Sequence, residues 1–93
     1  MPTEESIRAV LQSLQKTYDL QKVSVFGSYA EGRANEQSDL DLLVEFDQPA
    51  VSLLRLNALK YDLEDALGLP VDVIHGPLPA DSMIQTGKVV RVL

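Results

Sequence analysis

At 93 residues, with 45% hydrophobic and 24% charged positions, the chain has the make-up of a folded globule with room for one modest core, and residues 1–93 are expected to form a single domain. Eight basic residues against fourteen acidic ones leave a net charge of -6, which argues against an extended nucleic-acid surface and so against a general DNA binder or a nucleic-acid polymerase. The sequence shows no long apolar run, no basic-then-apolar leader and no cysteine, so the expectation is a cytoplasmic protein without a membrane span, signal peptide, disulfide or thiolate metal site.

Taken in chain order, Ile7, Val10, Leu11, Leu14 and Tyr18 recur at helical spacing, with Thr3 as N-cap and Glu4 and Glu5 in the first turn, which predicts a helix over 3–17. "KVSVFG" reads as a short β-branched and aromatic strand stopped by Gly27. In "DLDLLVEF" the residues alternate: Leu40, Leu42, Val44 and Phe46 belong to a core face, and Asp39, Asp41, Leu43 and Glu45 to the other. Leu56, Leu59, Leu63 and Leu67 then line up on a second helix that begins near Ser52 and stops at Gly68. "PVDVIH" is a third strand, and the strand-helix-strand order predicts that it runs parallel to the Asp39 strand through a right-handed crossover. Pro77 and Pro79 break the chain, "ADSMIQT" reads as one or two helical turns, and "KVVRVL" as a closing strand. The fold class is α/β (α+β), a small mixed sheet with helices mainly on one face.

Two acids at alternate positions of an otherwise apolar strand need an explanation. Asp39 and Asp41 would project from one face, and Asp72 would approach from the neighbouring strand. Three gathered carboxylates repel one another, and divalent cations resolve the repulsion; hard oxygen ligands select Mg²⁺, with Mn²⁺ as the alternative. Such ions complete their shells with substrate phosphates, and a pair about 3.5 to 4 Å apart clamps the attacking and leaving oxygens, so the implied substrate is a nucleoside triphosphate. Gly27 lets a phosphate approach the backbone, Ser28 offers a hydroxyl and an amide at an expected helix start, and Arg33, between the two motifs, is the best-placed phosphate cation. Each has a plainer alternative: Asp39 as a turn residue, Asp72 as a solvated edge acid, Gly27 and Ser28 as strand stop and cap. His75 is read as a loop histidine outside the site, Tyr29 as either a base-stacking or a core aromatic, and Leu53 or Leu54 as either core or partner surface.

Gly27-Ser28, ten intervening residues and Asp39-Leu40-Asp41, followed by Asp72 in "VDVI", resemble the signature of the DNA polymerase beta-type nucleotidyltransferase superfamily, in particular its minimal members. The resemblance runs from the first helix to "GKVVRVL". It implies the polymerase beta-like fold, metal held by Asp39, Asp41 and Asp72, triphosphate bound at Gly27 and Ser28, and Asp72 helping to deprotonate the acceptor. It also implies AMP transfer from ATP with two Mg²⁺ ions, onto a hydroxyl, tyrosine in the leading case, of a HEPN-type RNase toxin for which the chain is the antitoxin, in a homo- or hetero-oligomer. The alternatives it carries are an antitoxin that inhibits by binding alone and adenylyl transfer to a small molecule such as an aminoglycoside. Glu31 stands where the family often has Arg, which sets a negative charge beside the triphosphate unless Arg33 takes over.

Overall fold

The computed structural model describes residues 3–35, 37–48, 50–76 and 89–93. Helix α1 spans Glu4–Tyr18, and strand β1 follows at Leu20–Phe26; β2 is Leu40–Phe46, α2 is Leu53–Leu67, β3 is Val71–His75 and β4 is Val90–Arg91. The Thr3 hydroxyl accepts from the Ser6 amide, and the Ser52 hydroxyl accepts from the Arg55 amide, so each helix starts at a side chain that satisfies an otherwise orphaned donor. Both helices end in a left-handed residue. Asp19, at φ 55°, closes α1 and releases the chain directly into β1, two residues earlier than the "KVSVFG" reading expected. Gly68 closes α2 as predicted.

The four strands lie in the order β3-β2-β1-β4. β1 is antiparallel to β2 and to β4, whereas β2 and β3 run parallel, so the sheet is mixed as the element order implied. The core face carries Val23 and Val25 of β1, Leu40, Leu42, Val44 and Phe46 of β2, and Val71 of β3. Against it pack Ile7, Leu11 and Tyr18 of α1 and Leu59 and Leu63 of α2. The two helices are joined to each other by a polar contact as well: Tyr18 donates its hydroxyl to Asp62, and the Arg55 guanidinium lies 5.7 Å from the Tyr18 ring while donating to Asp19 and to the Thr17 carbonyl. Burial and the Asp62 carboxylate together push the Tyr18 phenol up to about 12, since both disfavour the phenolate.

The "KVVRVL" strand exists but is short, Val90–Arg91 paired with Val25 and Ser24. The helical turns read from "ADSMIQT" fall outside the described residues. No helix among the described residues is long and apolar enough to cross a membrane.

Candidate active site

The parallel register of β2 and β3 places Asp41 directly opposite Asp72. That pairing is built from both ends: the Leu40 amide donates to the Pro70 carbonyl, 3.0 Å, just before the acids, and the Gly76 amide donates to the Val44 carbonyl, 2.7 Å, after them. Glu64, on the last turns of α2, accepts from the Val71 amide at 2.9 Å and so fixes the residue next to Asp72. On the other side of β2, Phe26 is the register partner of Asp41, which carries Gly27 to the same end of the sheet. Gly27 sits at φ 72°, and a Cβ there would overlap Asp41 Oδ2 and lie 3.3 Å from its Cγ. Only glycine allows that backbone to lie against the carboxylate.

Asp39 is not in β2, as the strand reading had it; it lies one residue ahead, exposed, where the chain leaves a turn. The turn is held by Asn35, whose side-chain oxygen accepts from the Gln37 amide and whose carbonyl accepts from the Ser38 amide. Asp39 is nevertheless close enough to act on Asp41. Burial, then the charge of Asp72, then that of Asp39, and last a hydrogen bond to Asp72 all favour the protonated form of Asp41 and raise its carboxyl above the usual range. So the sequence-predicted trio meets as a tight Asp41–Asp72 pair with Asp39 at its rim. Among the described residues, no three Asp, Glu, His or Cys side chains stand in an arrangement closed around a metal position.

The phosphate-binding candidates occupy one turn. The expected helix start at Ser28 is instead an irregular turn over residues 27–32, in which the Glu31 amide donates to the Gly27 carbonyl and the Arg33 amide to the Ser28 carbonyl, 3.1 and 2.8 Å. Gly32, also at φ 72°, ends it before a helix can propagate. Arg33 is exposed and its guanidinium donates to Glu31 Oε2 at 2.9 Å, so the cation singled out for phosphate is engaged on the one acid of the turn. Tyr29 packs against the core, which favours the second of its two readings. His75 meets the Phe46 ring edge-on, 5.4 Å between centroids, on the core face, whereas Asp72 points to the opposite one.

Chemically, this sheet end sets carboxylate oxygens beside a turn that opens on Gly27, a donor set of the kind suited to hard cations. Comparison with known proteins places the chain in a family. The family model described as "Nucleotidyltransferase domain" matches residues 5–92. The chain is 45% identical over 74 residues to a Methanocaldococcus jannaschii relative named as a candidate protein adenylyltransferase, covering 80% of this chain and 77% of that one. It is 40% identical over 78 residues to protein adenylyltransferase MntA of Thermococcus cleftensis, covering 80% and 78%. In fold, a toxin-antitoxin structure containing AMP-PNP superposes with a TM-score of 0.78 at 22% identity, over 99% of this chain and 73% of that one. A complex of an AMPylated HEPN toxin with its MNT antitoxin from Shewanella oneidensis gives 0.70 at 18%, over 98% and 72%. From the match over residues 5–92 and the shared mixed sheet with its two helices, this chain belongs to the nucleotidyltransferase-domain family, in its minimal form, and is a nucleotidyltransferase.

Proposed function

We propose that the chain transfers AMP from ATP to a hydroxyl, tyrosine in the first instance, of a HEPN-type RNase toxin, and is that toxin's antitoxin. The observation that carries the reading is the in-register Asp41–Asp72 pair with Gly27 held against Asp41. Burial first, and then the neighbouring charges of Asp72 and Asp39, raise the Asp41 carboxyl, a combination that a bound cation would offset. The donor set is all hard oxygen and would suit Mg²⁺, which Asp39, Asp41 and Asp72 would hold and which would supply neutralisation of phosphate charge. Gly27 and Ser28 would orient the triphosphate through backbone amides and the Ser28 hydroxyl. Asp72 would take the acceptor's phenolic proton as the new O–P bond forms at the α-phosphorus, the α–β bridging bond breaks, and pyrophosphate leaves. The adenylyltransferase naming of the relatives and the toxin-antitoxin setting of the fold neighbours support both the reaction and the partner class.

A second reading, inhibition by binding alone, draws on one observation, the Glu31–Arg33 ion pair that occupies the cation nearest the phosphate turn. The two separate in a single experiment. Co-expression with the protein encoded by the adjacent gene, expected to be HEPN-type, followed by intact-mass measurement of that protein, is expected to show the addition of AMP with wild type and none with the Asp39→Ala, Asp41→Ala double variant. Inhibition that persists in the double variant without any mass change would establish the binding reading instead.

A further inference from the structure

Helix α2 differs from α1 in a way that folding alone does not explain. α1 is apolar toward the sheet and turns Glu5, Gln12, Ser13 and Lys16 outward. α2 buries Leu59 and Leu63, yet Leu53, Leu54 and Tyr61 remain 72%, 83% and 63% exposed. Three of the four exposed large hydrophobics among the described residues therefore sit on this one helix. At about 100° per residue, Leu54, Ala58, Tyr61 and Asp65 form one line, diametrically opposite Leu63, with Asn57 beside it and Leu53 about 100° round the helix from Leu54. A helix apolar on two opposite faces is normally covered on both.

We infer that this outward stripe of α2 is the surface on which the acceptor protein docks, and that the acceptor meets it with an apolar helix face flanked by basic residues. The identity of the occupant as the acceptor rests on the proposed function; its chemistry rests on charge. The chain carries a net -6, and the stripe ends in the exposed acid Asp65, while Lys60 lies over the Tyr61 ring at 5.9 Å. A second copy of this chain would bring like charge onto like charge, whereas a basic partner is drawn in and held. The placement also suits a protein acceptor. α2 has fifteen residues, about 22 Å of rise, and its C-terminal end leads through Pro70 to Asp72, so Leu53 and Leu54 lie about 20 Å along the axis from the acids. An anchor at that distance holds the partner without crowding the sheet end where nucleotide would bind.

The test uses Leu54→Glu and the double variant Leu54→Glu, Tyr61→Glu, both solvent-facing and checked for an unchanged thermal midpoint. Purified HEPN-type neighbour, titrated calorimetrically into each, is expected to bind at least tenfold more weakly to the single variant and more weakly still to the double, with affinity for ATP within twofold of wild type. If the neighbour binds all three equally, or does not bind wild type, the docking assignment is wrong. Sedimentation of wild type alone is expected to show a monomer; a dimer that Leu54→Glu dissolves would assign the stripe to self-association and overturn the proposal. Should wild type bind the neighbour in a Leu54-dependent way but transfer no AMP, the docking surface stands while the proposed reaction fails.

Discussion

At the scale of single residues, Asp41 carries an electrostatic cost that function explains better than stability does. Its carboxyl is raised, so the folded chain holds that proton more tightly than the unfolded chain. Stability from this group is therefore greatest below the ordinary carboxylate range and falls as pH rises through the raised value. At neutral pH, without cations, Asp41→Asn is expected to raise the thermal midpoint by about 2–8 °C while eliminating AMP transfer, measured by calorimetry in chelator and by intact mass. A midpoint that falls would show that the Asp41 carboxylate is stabilising. Glu31 yields the complementary prediction. Its pairing with Arg33 is solvent-exposed and worth about 0.2–1 kcal/mol, so it opens easily. Glu31→Gln should free the guanidinium and lower KM for ATP by roughly 1.4- to 5-fold with kcat little changed; an unchanged KM would mean that Arg33 does not reach the phosphates.

At the scale of elements, the helices and the central strand were legible in the sequence because each is signalled twice, by periodicity and by its ends. Thr3, Ser52 and Gly68 cap the helices where read, and Leu40, Leu42, Val44 and Phe46 are buried as the alternation required. The adjacency of Asp41 and Asp72 was equally legible, because a strand, a fifteen-residue helix and a strand leave few other arrangements. Local backbone at the rim was not. Two positive-φ glycines, Gly27 and Gly32, close the Ser28 segment into a turn, and Asp39 stands ahead of the ladder because pairing begins only at Leu40. Neither outcome follows from side-chain pattern. Contacts between elements distant in sequence were hidden too, and the Tyr18–Asp62 bond that joins α1 to α2 is one. Tyr18→Phe is expected to cost about 0.5–3 kcal/mol in urea unfolding at neutral pH. Because the phenol is raised to about 12, this contribution is complete below pH 10 and is lost as pH rises toward 12. Wild type and Tyr18→Phe should converge in stability over that interval, and curves that stay parallel would assign the effect to packing instead.

At the scale of the whole molecule, acidity and the site act together. A chain of net -6 that concentrates three acids at one sheet end is poised to gain stability from any cation that enters there. Mg²⁺ at ten times its dissociation constant should stabilise wild type by about 1.4 kcal/mol, and chelator should remove the gain. The Asp41→Asn, Asp72→Asn double variant should not respond. An equal response in both would place the ion elsewhere on the acidic surface.

The backbone ladder between β2 and β3 fixes how far apart Asp41 and Asp72 stand, and the helix in the link between them bears on that spacing through Glu64, which accepts from the Val71 amide. The helix within that link is released on its outer side from the demands of the reaction. Leu54 and Tyr61, exposed on that outer side, can therefore be exchanged without moving the two carboxylates that the ladder spaces.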